Sequence, residues 1–329
     1  MSLKKIAAQI RNQNNFLITS HVNMEADALG SELAFYRLVK LLNKNAVIVN
    51  EDNLPYGYEF LPGVEVIKKY KDTLKKYLKY DCFVALDCSD LKRTGEVYKL
   101  ITEGKPVINI DHHISNVNFG TYNWVLPQAS SCCEMLYYLY KELGVRFDKD
   151  SALALYSGIL TDTGSFRFSN TTSHTHKAAA ELLEYGLDVV GIYGKLYGNF
   201  PYRDMKLVAK IINEARRQHQ GKIIWFQVTG EVLKKYKKIY ADLTDSVLSF
   251  ARAIKDTEVA VLFKENLGVK NEVRVNFRSQ GKIDVNKIAG HFGGGGHKTA
   301  SGCTIHARLG QAKSKVLKKI EEALREAGV

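Results

Sequence analysis

The residues best suited to chemistry stand together as Asp111-His112-His113. They close the run Lys105-Pro-Val-Ile-Asn-Ile-Asp-His-His, whose apolar middle has the composition of a parallel strand buried on both faces. In open α/β sheets reactive groups collect just beyond the carboxyl ends of such strands. Other acids and imidazoles follow the same pattern. His21-x-x-x-Glu25-x-Asp27 lies just past the apolar run that starts at Phe16, Asp87 ends the run that starts at Tyr80, and Asp162 falls in a polar loop after a helical segment. Carboxylates and histidines mixed in this way suit an octahedral divalent ion, Mn²⁺ with Mg²⁺ or Co²⁺ as alternatives, better than structural zinc, which takes Cys and His in tetrahedral array.

Two such ions about 3.5 to 4 Å apart stabilise both the attacking and the leaving oxygen of an in-line displacement, which is the chemistry of phosphate-ester or anhydride hydrolysis. Acids crowded together without cations would repel one another and rise in pKa, so the density of acid itself argues for metal. Each residue also has an ordinary alternative: Asp27 and Asp87 as helix caps, His21 as a satisfied core histidine, Asp162 as a turn residue. Their joint arrival at strand and loop ends is what points to a site.

A second group is Gly293-Gly294-Gly295-Gly296-His297-Lys298. Four glycines permit positive φ and close backbone approach, so their amides can cradle a phosphate. His297 separates the last glycine from Lys298 and a helix precedes the stretch, which excludes a Walker loop. A flexible connector is the plain alternative. His297, Lys298 and the upstream strand end Arg278-Ser279 shift the reading towards an anion clamp.

These residues need a scaffold. Short apolar runs at 16–21, 45–50, 80–87, 107–111 and 122–127 alternate with helical spacing at 28–42, 68–80, 130–143 and 149–160, which predicts a doubly wound parallel α/β sheet. Further helices are expected at 175–185, 189–196 and 203–217. A smaller α/β unit follows, with strands at 222–228, 258–263 and 272–278 and helices at 229–238, 242–253, 285–291 and 311–327. The expected division is a metal-binding domain over 1–190, a helical connector over 191–215 and a substrate domain over 216–329.

At 329 residues the chain is long enough for two cores. Its net charge of +12 is uneven: residues 1–200 hold 22 Lys and Arg against 22 Asp and Glu, whereas the remainder holds 25 against 13. A neutral first part and a basic second part fit a division between chemistry and the grip on a polyanion. No apolar run approaches the ~20 residues of a membrane span and the start carries no signal-peptide core, so a cytoplasmic protein without membrane contact is expected. Cys82, Cys88, Cys132, Cys133 and Cys303 form no Cys-x-x-Cys pair and sit in apolar surroundings, as reduced core thiols do.

In this order the residues resemble the motifs of the DHH phosphoesterases that carry a smaller DHH-associated domain, in the branch of oligoribonucleases (nanoRNases) and 3′-phosphoadenosine 5′-phosphate phosphatases. His21-Val-Asn-Met-Glu-Ala-Asp27-Ala-Leu-Gly-Ser31 resembles the first motif, Leu86-Asp87-Cys-Ser the second, Asp111-His112-His113 the third and Thr161-Asp162-Thr-Gly164 the fourth. Phe277-Arg278-Ser279, Ile288-Ala289 and residues 293–302 resemble the substrate motif of the associated domain, so the resemblance covers essentially the whole chain.

The resemblance implies roles. His21, Glu25 and Asp87 would hold one Mn²⁺, and Asp27, Asp87, His112 and Asp162 the second, with Asp87 bridging. His113 would face the scissile phosphate and Asp111 would orient a histidine. Arg278, Ser279 and Gly293 to His297 would hold the rest of a nucleotide or short single-stranded RNA or DNA, in a cleft between the domains, and a homodimer is the family expectation. One position departs: the family's first motif reads Asp-Gly-Asp where this chain has Glu25-Ala26-Asp27, which lengthens one ligand by a methylene. The rival readings are a cyclic or linear dinucleotide phosphodiesterase, a RecJ-like single-strand exonuclease and a non-catalytic nucleic-acid-binding protein.

Overall fold

A computed structural model describes the chain apart from residues 1, 72–73, 75–77, 199, 237–238, 240–242 and 329. Its contacts divide it into two compact units, Met1–Asn199 and Phe200–Val329. Among the described residues no helix is long and apolar enough to cross a membrane.

In the first unit α1 (Leu3–Asn12) and β1 (Asn15–Thr19) are followed by α2 (Ala26–Leu41), β2 (Asn45–Asn50) and β3 (Ile67–Lys69). The strands β4 (Cys82–Leu86), β5 (Val107–Asp111) and β6 (Tyr122–Val125) come next, then α3 (Cys132–Leu143), α4 (Lys149–Asp162), α5 (Ser173–Leu183) and α6 (Val189–Tyr197). All six strands are parallel, in the order β3-β2-β1-β4-β5-β6. Their apolar runs are nearly continuous because both faces are covered. Phe16 and Ile18 enter a core shared with helices α1 to α5, while Leu17 points to the other face with Phe83, Ala85, Val97 and Leu100. The strand order reverses between β1 and β4, and that reversal opens a crevice at their carboxyl ends.

Two glycines let α2 and α4 cross closely behind this crevice. A Cβ on Gly30 would lie 2.5 Å from the Ala154 carbonyl oxygen, and one on Gly158 would lie 2.4 Å from Cys133 Sγ and 2.8 Å from Asp27 Oδ1. Glycine at both places lets α2 and α4 meet backbone to backbone, so the end of α4 reaches the start of α2.

In the second unit α7 (Tyr202–Asn213), β7 (Arg216–Gln218), β8 (Ile223–Val228), α8 (Gly230–Tyr236) and α9 (Leu243–Arg252) precede β9 (Val259–Glu265) and β10 (Glu272–Ser279). After α10 (Val285–His291), β11 (Gly295–His297) and β12 (Ala300–His306) form a hairpin, and α11 (Leu309–Glu326) ends the unit. The sheet order is β11-β12-β10-β9-β8-β7, parallel only between β8 and β9. Alternation again serves two cores: Val261, Phe263 and Phe277 pack with α10 and α11, whereas Ile224, Phe226 and Leu262 pack with α7 and α9.

Several expectations are corrected. Lys68 and Lys69 belong to β3 rather than to a basic helix, and residues 72–73 and 75–77 of that expected helix lie outside the described residues. α7 stops at Asn213, and Arg216 and Arg217 are exposed on β7 instead of continuing the helix. Of the two segments expected at 229–238 and 242–253, residues 237–238 and 242 lie outside the described residues. In the stretch 191–215, α6 lies in the first unit and α7 in the second. Of the glycine-rich stretch, Gly295, Gly296 and His297 form β11 of the β11–β12 hairpin, while Gly293 and Gly294 precede it. Asp162 is the last residue of α4 and not part of the loop beyond it. All five cysteines are buried and free.

Candidate metal centre

The crevice between β1 and β4 gathers the acids and imidazoles of the first unit. Asp87 stands just past β4 and adopts a left-handed backbone, φ 51°, which aspartate tolerates better than most residues other than glycine. Its amide donates to the Ile110 carbonyl, 3.0 Å away, which pins the turn to β5. From there its carboxylate faces three histidines. Oδ2 lies 3.3 Å from His21 Nε2, and Oδ1 lies 3.5 Å from both His112 Nε2 and His113 Nδ1.

Second partners fix the histidine rings. His21 Nδ1 lies 2.8 Å from the Val22 carbonyl and His112 Nδ1 3.3 Å from the Ala129 carbonyl, so in both rings Nε2 is turned to the carboxylates. His112 Nε2 is 3.2 Å from Asp162 Oδ2 and 3.8 Å from Asp27 Oδ2. His113 is held differently, its Nδ1 lying 2.7 Å from Oδ1 of the fully buried Asp111. Asn116 Nδ2 donates to the other oxygen of Asp111 at 2.6 Å.

Asp27 sits in the first turn of α2, and its carboxylate also caps a different helix. Its Oδ2 and Oδ1 accept from the Cys132 and Cys133 amides of α3, at 2.7 and 2.9 Å. Glu25 is exposed, at the N-cap of α2, with no side-chain cap bond. Its charge reaches His21 and Asp162 electrostatically.

The protonation balance fits a cation. Burial pushes Asp27 up to about 6, helped by the charge of Asp87. Burial also drives Asp162 well above the usual carboxylate range, although His112 opposes it. Burial would raise Asp87 too, but His112, His21 and His113 outweigh it and hold this carboxyl well below its ordinary value. His112 moves well above its ordinary value because Asp162, Asp87 and Asp27 overcome its burial. Asp87 Oδ1 is buried and accepts no hydrogen bond from the described residues. An anionic oxygen whose nearest donors are two imidazoles at 3.5 Å, amid buried acids, is what a divalent ion would satisfy.

Within the first unit two compact sets have ligand atoms within 4.8 Å of one another: Asp27, Asp87 and His112, and Asp87, Asp111 and His113. Asp87 belongs to both. Carboxylates and imidazoles in these sets fit hard or borderline divalent cations.

The residues singled out for anion binding all lie in the second unit, around one position. Arg278 on β10 and His297 on β11 both register with Ala300 of β12. Arg278 Nη1 donates to its neighbour's carbonyl, Phe277 O, at 3.1 Å, and Ser279 is buried, its amide donating to Thr299 O at 2.9 Å. Gly293 has φ 74° and Gly296 φ 142°, and a Cβ on Gly294 would lie 2.1 Å from the Gly302 carbonyl oxygen. Gly295 leads into β11 opposite Gly302.

Sequence reasoning missed Asn116, Gly158 and the α3 amides. Asn116 could have been suspected from its place three residues after His113. Nothing in the sequence marks the amides, which carry no side-chain signal.

Fold and centre together define a phosphate-ester hydrolase, and the chain belongs to the DHH family. Residues 15–159 match the model of the DHH family N-terminal domain and residues 227–326 that of the DHHA1 domain. The chain is 32% identical, over 94% of its length and 90% of the relative's, to a Thermus thermophilus protein named bifunctional oligoribonuclease and PAP phosphatase NrnA. A protein of the same name from Bacillus subtilis is 27% identical, over 89% of this chain and 90% of that protein. Among solved structures, an exopolyphosphatase-related protein from Bacteroides fragilis shares the fold, with a TM-score of 0.86 at 24% identity over 98% of this chain and 95% of that one.

Proposed function

We propose that the protein hydrolyses short oligoribonucleotides and 3′-phosphoadenosine 5′-phosphate at a centre holding two Mn²⁺ ions. The carrying observation is Asp87, whose Oδ2 faces His21 and whose Oδ1 faces His112 amid the buried Asp27 and Asp162, with no hydrogen bond to that Oδ1 from the described residues. His21, Glu25, Asp27, His112 and Asp162 complete the ligand set of this proposal. When bound, such a pair supplies activation of water and neutralisation of the charge that builds on phosphorus.

The chain's own groups prepare the rest. The α3 amides hold both oxygens of Asp27 and so fix its direction. The Asp111–Asn116 pair orients His113 through its Nδ1, and Nε2 is the atom that meets the phosphoryl group. In the second unit Arg278, Ser279, Gly293 to Gly296 and His297 bind the remainder of the substrate, Arg278 by charge and the glycines by main-chain amides. That unit serves as the substrate domain and the first as the metal domain. The names of the Thermus and Bacillus relatives support the substrate class.

The test measures phosphate release from 3′-phosphoadenosine 5′-phosphate beside gel assays on 2-mer to 24-mer RNA and DNA, each with Mn²⁺ and with chelator. Mn²⁺-dependent turnover of the bisphosphate and of the shortest RNAs is expected. Metal-independent binding without turnover of any substrate would overturn the proposal in favour of a binding protein.

A further inference from the structure

Arg93 is a half-buried cation beside the candidate metal centre with no carboxylate partner among the described residues. It lies in the 3₁₀ segment Leu91–Leu100, which covers the face of the parallel sheet opposite α2. Two contacts tie it to the rim. Its carbonyl accepts the Val22 amide at 2.7 Å, next to His21, and its Nη1 donates to Ser89 Oγ at 3.4 Å, two residues beyond Asp87. Its charge acts on His21, against that of Asp87, and on Cys88.

The segment is packed against Glu51 and Val22. Gly95 holds φ 63°, and a Cβ there would lie 2.6 Å from Glu51 Cγ and 3.0 Å from Val22 Cγ1. The Glu96 amide donates to Glu51 Oε2 at 3.0 Å, and the Asp90 side chain caps the start of the segment by accepting from the Lys92 amide. The backbone of Arg93 is thus fixed against the exits of β1 and β4, while no carboxylate lies within ion-pair distance of its guanidinium among the described residues. A surface arginine needs no partner, but a half-buried one fixed beside a cluster of acids and left unpaired is placed for an anion that arrives from outside.

We propose that Arg93, with Ser89 beside it, forms an anion subsite on the His21 side of the centre that holds a non-bridging oxygen of the substrate's phosphoryl group. This rests on the phosphoester reading above and adds to it a binding residue in the first unit. The guanidinium fork supplies directed donors, so a point charge in its place would serve less well.

The experiment titrates inorganic phosphate into the Mn²⁺-loaded protein by calorimetry, for the wild type, Arg93→Gln and Arg93→Lys, with Mn²⁺ titrations of each in parallel. Expected is a loss of phosphate affinity of about ten- to hundredfold in Arg93→Gln, with part of it recovered in Arg93→Lys and Mn²⁺ affinity kept in both. KM for 3′-phosphoadenosine 5′-phosphate should rise in step. Unchanged phosphate affinity in Arg93→Gln would overturn the subsite, as would Mn²⁺ affinity and thermal stability falling together with it. A wild type that turns over none of the substrates would sink the substrate reading alone, because the phosphate titration still decides the role of Arg93.

Discussion

Asp111 Oδ1 lies 2.7 Å from Nδ1 of His113, and Asp111 is completely buried. The pairing orients the imidazole through Nδ1, and in the proposed function the acid acts through its neighbour. Asp111→Asn keeps the shape but weakens the acceptor. Activity is expected to fall by about 10- to 100-fold with Mn²⁺ affinity largely kept. Steady-state kinetics beside a metal titration reads both, and equal losses in the two would assign Asp111 to the metal instead.

Glu25 and Asp162 should respond oppositely. Glu25 is exposed at the N-cap of α2, whereas the Asp162 carboxylate lies 3.2 Å from His112 Nε2. Shortening the first by a methylene in Glu25→Asp should keep or raise turnover. Asp162→Ala should abolish it. Near-wild-type hydrolysis by the Asp162 variant in added Mn²⁺ would remove Asp162 from the ligand set.

The close crossing of α2 and α4 makes Gly158 sensitive. A methyl there meets Cys133 Sγ at 2.4 Å and Asp27 Oδ1 at 2.8 Å. Gly158→Ala is expected to cost about 1–3 kcal/mol of stability by overpacking. Because the strain falls on Asp27, Mn²⁺ affinity should drop as well. Thermal unfolding with and without Mn²⁺ measures both, and a variant as stable as the wild type would mean that the helices can part.

Glu32 gives a pH dependence. It is fully buried in α2, and burial pushes its carboxyl from an ordinary 4.5 up to about 7, against a hydrogen bond from Asn50. An acid with a raised folded pKa favours the protonated form when folded, so it costs stability progressively as pH rises from about 4.5 to about 7. Glu32→Gln should therefore stabilise the metal-free protein above about pH 7 by up to about 3 kcal/mol and change little below about pH 4.5. Denaturant curves at pH 4.5 and pH 8 give the comparison. A gain of equal size at both would mean that ionisation is not the cause.

The parallel sheet was legible because burial on both faces leaves continuous apolar runs such as Phe16–Ile18 and Phe83–Leu86, and the residues that follow them fall at one rim. The acids and histidines of the first unit could be proposed together for the same reason. Other features left no such trace. The β11–β12 hairpin escaped because glycine has no side chain to alternate and takes its pairing from neighbours that are distant in sequence. Lys68 and Lys69 suggested a helix because a three-residue edge strand is too short to show a period. The hold on Asp27 depends on main-chain amides, and the opening at Gly158 shows in sequence only as a small residue inside a helix.

β11 is an edge strand built of Gly295, Gly296 and His297, so along most of its length it offers a neighbour bare main chain. Peptide groups match what all nucleotides have in common and are indifferent to the identity of the base. Under the proposed function, discrimination in the second unit comes from the length and the end groups of what it grips, and a binder of that kind sorts fragments by size without regard to the message they carried.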